Sequence, residues 1–130
     1  MALSDVVKGL FLKNYFTFTF PSLTDQGDGT IASFVVPENC VLVSLDCVYT
    51  AEAGGGTTPA IGIAVKRSST TLVSVAQADM GTAGTGASST AAAALSKGEV
   101  LTIVADTANA DNDFQGLTVI VGVRPVFDEE

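Results

Sequence analysis

The chain has 130 residues, 47% hydrophobic and 15% charged, with 6 Lys and Arg against 14 Asp and Glu for a formal net charge of −8 and a pI near 4.2. That length supports one domain able to bury about two-thirds of the surface its unfolded form exposes. The acidity argues against nucleic acid and anionic membrane as partners, because both reward Lys and Arg that neutralise phosphate.

The first residues, "MALSDVVKGLFLKNYF", lack the basic start and unbroken apolar core of a signal peptide, since Asp5 and Lys8 fall where that core should be. Leu3, Val6, Val7 and Leu10 instead recur at helical spacing, with Phe11 beside them and Gly9 weakening the helix by about 1 kcal/mol. Residues 1–12 are expected to form a short helix or an ordered arm, which either covers an open end of the domain or docks on a neighbour. No apolar run reaches the roughly 18 residues of a membrane span.

Strict alternation begins at "NYFTFTF", where Phe16, Phe18 and Phe20 line one face and Tyr15, Thr17 and Thr19 the other, as in a sheet with one buried side. Pro21 is expected to end that strand. Seven more follow: "TIASFVV" to Val36, "CVLVSLDCVYT" from 40 to 50, "PAIGIAVKR" from 59 to 67, "TTLVSVAQ" from 70 to 77, an Ala-rich run near 87 to 94, "EVLTIVAD" from 99 to 106, and "GLTVIVGVR" from 116 to 124. Turn chemistry separates them: "DQGDG", Pro37 with Glu38 and Asn39, "GGGTTP", Ser68-Ser69, and "SKGE" with Gly98 at the third position of a type II turn. The stretch "MGTAGTGASST" at 80 to 90 reads as a long loop or loose edge.

About eight strands with no helix between them predict an all-β domain, a single antiparallel β-sandwich of jelly-roll-like form. Its expected limits are 13–125, with the arm at 1–12 before it and an acidic tail at 126–130 after it. Cys40 and Cys47 are seven residues apart on one strand, which places them on opposite faces and about 23 Å apart, too far to bridge. Both are expected to act as small hydrophobes. The low charged fraction, below the roughly 25% of an ordinary soluble domain, predicts surface hidden in an oligomer.

Little in this chain can do chemistry. With no His, neither a Ser-His-Asp nor a Cys-His arrangement is possible, and two Cys cannot make a structural zinc site. The glycine-rich stretches lack the Gly-Lys-Ser/Thr ending and the strand-to-helix context of a phosphate loop. A pair of carboxylates for glycoside hydrolysis needs a cleft between them, and Asp25, Asp28, Asp106, Asp111 and Asp113, with Asp128, Glu129 and Glu130, all fall in loops or a tail. "VADTANADND" at 104 to 113 does not match the order of a calcium loop; it reads as an inter-strand connection, with a weak cation site as the alternative. No catalytic residue, metal site or cofactor is expected.

The segments "VVPENCVLVSLDCVYTA", "TPAIGIAVKRSSTTLVS", "ALSKGEVLTIVAD" and "DFQGLTVIVGVRP" resemble the small β-sandwich head decoration, or cement, proteins of tailed bacteriophages. The shared features are a Pro-led turn into a long strand, a hairpin with a short basic tip, a Lys-Gly-Glu turn before a Val-rich strand, and a last strand ending in Arg-Pro. The resemblance covers roughly residues 35 to 125 and implies a non-enzymatic virion protein, made in the host cytoplasm, that forms a homotrimer on the outer face of the capsid. It implies the major capsid protein as partner and a stabilised shell as the result. Leu3, Val6, Val7, Leu10 and Phe11 are then the candidate capsid contact. The alternative is a virion receptor-binding or carbohydrate-binding sandwich, recognising its ligand through loops.

Overall fold

The computed structural model describes residues 14–26, 28–54, 61–80, 83–107 and 112–126. Nine strands lie within them: β1 (Asn14–Gln26), β2 (Gly29–Val35), β3 (Cys40–Val48), β4 (Ala51–Gly54), β5 (Ile61–Arg67), β6 (Thr70–Val75), β7 (Ala87–Leu95), β8 (Val100–Thr107) and β9 (Asn112–Pro125). A single 3-10 turn, Gln77–Met80, follows β6. The strands form two antiparallel sheets, one in the order β1-β9-β3-β7 with β4 also on β9, the other β2-β8-β5-β6.

The pairing is nested. β5 pairs β6, β3 pairs β7, β2 pairs β8 and β1 pairs β9, as if one long hairpin had been laid down with its tip at Ser68-Ser69. Rolling that hairpin brings β9 against β3 and β8 against β5, which closes the two sheets face to face as a jelly roll. At the tip Ser68 has φ 53, the positive value that a two-residue hairpin loop requires at its first position.

Alternation places Leu117, Val119, Val121 and Val123 of β9, Leu42 and Leu45 of β3, Ile61, Ile63 and Val65 of β5, and Leu101 and Ile103 of β8 in one buried core. Phe16 and Phe18 of β1 lie 5.2 Å, ring centre to ring centre, from Phe34 of β2 and close the flank between these edge strands, half-buried. Tyr49 and Phe114, edge to face at 5.3 Å, and Met80 are buried in the same core.

Several features depart from the sequence expectations. Pro21 does not end β1: Phe20 pairs Leu117 and Ser22 pairs Gln115 on either side of it. β1 is an edge strand, so a proline there removes no ladder bond from a neighbour on its outer side. Cys40 and Cys47 do not face opposite ways. A bulge between Leu42 and Ser44 adds one residue to β3, so the odd spacing returns both thiols to the core side, each buried and free. The Ala-rich run expected near 87 to 94 is β7, so residues 87–90, which the loose-loop reading of 80 to 90 also claimed, belong to the strand and pair with β3. β4 was not anticipated, because its four residues carry no alternation of their own. The N-terminal arm and the end of the acidic tail lie outside the described residues.

Gly116 makes the crossing from β3 to β4 possible. Its φ is 64, and a Cβ there would sit 2.2 Å from Thr50 Oγ1. Thr50 is fixed in place, since its N–H and its hydroxyl both donate to the Gln115 carbonyl at 2.9 and 3.0 Å. Gly116→Ala is expected to cost about 3 kcal/mol, combining the left-handed penalty with overpacking. Gly98→Ala, with φ 90 but open space around it, should cost only about 1 kcal/mol. Urea midpoints of the two variants test this; equal losses would contradict the steric part.

Burial pushes the Cys47 thiol up to about 12, and the neighbouring Asp46 carboxylate adds to the rise. The fold therefore holds this proton more tightly than the unfolded chain does. The stabilisation is complete below the unfolded value of about 9 and is lost as pH climbs from there through 12. Cys47→Ala should flatten the fall in unfolding free energy between pH 9 and 10.5, where this one group contributes a slope of up to about 1.4 kcal/mol per pH unit. An unchanged slope would show that Cys47 is not the group responsible.

Candidate docking surface

The antiparallel order gives the sandwich two unlike ends. At one end lie the start of β1, the 36–39 turn, the β5–β6 hairpin, the 96–99 turn and the end of β9. The other end carries the β1–β2 turn, the 3-10 turn, the end of β8 and the start of β9. Residues 1–13 join the domain at Asn14 and residues 127–130 at Val126, so both segments are tethered to the first end.

That end is organised by backbone bonds between its turns. The Val36 N–H donates to the Glu99 carbonyl and the Gly98 N–H to the Val36 carbonyl, both at 2.8 Å. The Lys97 N–H donates to Asn39 Oδ1 at 2.9 Å. Glu99 N–H closes on the Ser96 carbonyl at 3.1 Å, with Gly98 in the left-handed conformation that a type II turn needs. Arg67, at the end of β5, reaches across to the opposite sheet, where its Nη2 donates to the Ala94 carbonyl at 2.6 Å and to Glu99 Oε2 at 3.1 Å. Two turns and two sheets are thereby tied into one platform.

The chemistry of this platform differs from that of the rest of the molecule. The exposed large hydrophobic residues among those described are Tyr15 (54%), Val35 (58%), Val100 (57%) and Val126 (49%), and all four lie at this end. Val35 and Val100 are cross-strand partners, so their side chains form one apolar step. Every Lys and Arg among the described residues, namely Lys66, Arg67, Lys97 and Arg124, is here as well, against Glu38 and Glu99. An apolar cleft of about 440 Å³ runs between Tyr15, Phe16, Pro37, Val123 and Pro125, with Cys40 in its wall. Burial raises the Cys40 thiol above its ordinary value, as does Glu99.

The far end holds Asp28, Asp79, Asp106 and Asp113 and no described Lys or Arg. Asp28 has a structural task there, because its Oδ1 accepts the Thr107 N–H at 2.9 Å and ties the β1–β2 turn to the end of β8. No group of three or more metal-ligating side chains occurs among the described residues. Part of "VADTANADND", residues 108–111, lies outside them; Asp106 is the last residue but one of β8 and Asp113 the second of β9.

Between the ends, the outer faces of both sheets are nearly uncharged. Thr17, Thr19, Thr118, Ile120, Ser88 and Thr90 cover one; Ser33, Thr102, Val104, Ala64 and Ser74 cover the other. The first carries Asp46, whose Oδ1 accepts the Ser88 hydroxyl. On the second, a shallow hollow of about 500 Å³ is bordered by Lys66, Thr71, Ser74, Asp28 and Asp106.

The expected contact residues Leu3, Val6, Val7, Leu10 and Phe11 lie outside the described residues; their point of attachment, Asn14, is at the basic and apolar end. Sequence reading noticed the basic hairpin tip but missed that Lys97 and Arg124 join it, since 57 residues separate Arg67 from Arg124 along the chain. The usable signal was positional: each of these cations sits at a strand end of the same parity in the nested hairpin. No protein-family model matches the chain, and no curated protein matches it either.

Proposed function

We propose that this chain is a non-enzymatic virion structural protein of the head-decoration kind, which binds the outer surface of a phage capsid as a homotrimer and stabilises the shell. The observation that carries the reading is polarity: exposed apolar side chains, cations and both terminal attachment points share one end of the domain, while the other end is acidic. A domain built this way has one adhesive end. Its complement is a protein surface with acidic groups around an apolar recess, the chemistry assigned here to the face offered by the major capsid protein. Leu3, Val6, Val7, Leu10 and Phe11 are the proposed contact residues of the segment that joins this end at Asn14.

The nearly uncharged flanks favour side-by-side packing of copies, because bringing Thr, Ser, Ala and Val surfaces together desolvates few charges. Such packing about an axis running from end to end turns all adhesive ends the same way. Three modest attachments then act together, each raising the effective concentration of the next. Sugar recognition has one feature in its favour, the polar hollow on the four-stranded sheet, but among the described residues no aromatic ring borders it to stack on a sugar face. It is the second reading.

Light scattering and co-sedimentation test the proposal, using empty shells assembled from the major capsid protein of the same genome. A trimer that pellets with shells is expected, with binding weakened at least tenfold by deleting residues 1–12. A monomer at tens of micromolar, or a genome that encodes no capsid protein, would refute it. Selective retention of one glycan on an array, without shell binding, would favour the sugar-binding alternative.

A further inference from the structure

The outer face of the β1-β9-β3-β7 sheet carries charge at two places that mirror each other. Along the ladder where β3 pairs β9, Arg124 and Asp46 are the charged side chains among the described residues, and both are half-buried. Asp113 lies beyond that ladder, where β9 pairs β4. Register fixes where the two charges stand. Arg124 is opposite Val41 and Asp46 is opposite Ile120, so they sit on neighbouring strands about 13 Å apart along β9. Midway between them runs an uncharged row, in which Gly122 of β9, Ser44 of β3 and Thr90 of β7 are successive cross-strand partners.

Each of these groups has bonding capacity left. Asp46 accepts the Ser88 hydroxyl on Oδ1, which leaves Oδ2 for a second donor. The Arg124 guanidinium has no hydrogen-bond or ion-pair partner among the described residues. In the middle row, the Ser44 hydroxyl is buried without a hydrogen-bond partner. Val41, Val43, Val48 and Ile120, all half-buried, supply apolar surface around them.

Opposite charges placed symmetrically about an uncharged row make a face complementary to itself. A two-fold axis lying in the face along that row brings Arg124 of each copy to Asp46 of the other, as an isologous contact requires. The same operation brings the two Ser44 hydroxyls near the axis, where one can donate to the other. Four strands ~4.8 Å apart and about 30 Å long give a face of roughly 570 Å². Covering it on two copies removes on the order of 1,100 Å², above the ~1,000 Å² of a specific interface. The outer face of the other sheet suits a flat partner less well, because its hollow of about 500 Å³ would stay unfilled.

We infer that the outer face of the β1-β9-β3-β7 sheet binds the same face of a second copy across a two-fold axis, with Arg124 and Asp46 paired between the copies. The contact does not rest on the shell-binding reading. It sets the two poles of the paired copies in opposite directions, so it belongs to the protein in solution and leaves three-fold packing to the other surfaces of the domain. Copies standing the same way up on a shell cannot form it.

Charge reversal and mixing test this pairing. Arg124→Asp gives the face two acidic positions and Asp46→Arg gives it two basic ones, so either variant meets itself with like charges. In an equimolar mixture, both contacts of a mixed pair join acid to base. Sedimentation equilibrium of the unaltered chain is expected to show the mass rising beyond that of the smallest species between about 20 and about 500 μM. Each reversal alone should weaken this association at least about tenfold, and the mixture should recover it. Should Asp46→Arg not fold, Arg124→Gln and Asp46→Asn remove the pair without reversing it, and each is expected to weaken association about threefold. Association that none of these substitutions weakens, or that a mixture of folded reversals does not recover, would overturn the inference. A mass that stays constant over the concentration range would overturn it as well. No shell enters these measurements, so failure of the shell-binding reading leaves their outcome unchanged.

Discussion

The pairing of β1 with β9 is the constraint on which the rest of the molecule depends. It runs antiparallel from Asn14 opposite Val123 to Gln26 opposite Asn112, so the first and last strands begin and end together. β9 also pairs β3 and β4, and its inward side chains are buried throughout. Losing this strand would expose the edge of β3 and open the core along its length. Because the outermost pair of a nested hairpin contains both chain ends, rolling the hairpin into two sheets places both at one end of the sandwich. A platform of exposed apolar and basic side chains that also carries both points of terminal attachment is therefore a consequence of topology, and the same topology puts Thr107 and Asn112 at the opposite end.

Charge is then distributed along an axis. The four described cations lie at strand ends or turns of one pole, where Arg67 serves the fold by bonding across the sheets and Lys97 sits on a turn fixed by Asn39. Carboxylates collect at the other pole, where Asp28 has a backbone N–H to accept. The flanks carry Thr, Ser, Ala and Val, which suit strands with one half-exposed face and leave little to desolvate when copies meet. A net charge of −8 describes none of this. The low charged fraction that predicts an assembly reflects the flanks, and the polarity that predicts a docking direction reflects the poles.

The strands were legible because most have one buried face, which alternation marks: Phe16, Phe18 and Phe20, and again Leu117, Val119, Val121 and Val123. Turn residues were legible where a backbone angle demanded them, as at Gly98. Errors arose where a non-local partner altered a local rule. Pro21 is tolerated because its strand is at an edge, and the Cys40–Cys47 spacing is corrected by a bulge that depends on pairing with β7 and β9. The docking surface was the least legible part. Its residues come from positions 15, 35, 66, 67, 97, 100, 124 and 126, and only the nested pairing brings them together. The apolar stripe of the N-terminal segment was visible as periodicity, but its surroundings depend on that same pairing.

The central claim is that this protein binds through the pole that carries Tyr15, Val35, Val100 and the four cations. Covalent footprinting of the protein with shells of the proposed capsid partner measures this most directly, with hydroxyl-radical oxidation reporting on the apolar residues and carboxyl labelling on the acidic pole. Docking by the basic and apolar pole predicts that oxidation of Tyr15, Val35 and Val100 falls severalfold on binding while Asp79 and Asp106 label at unchanged rates. Shielding of Asp79 and Asp106, with Tyr15 and Val35 oxidised as in the free protein, would contradict it and assign the contact to the opposite pole.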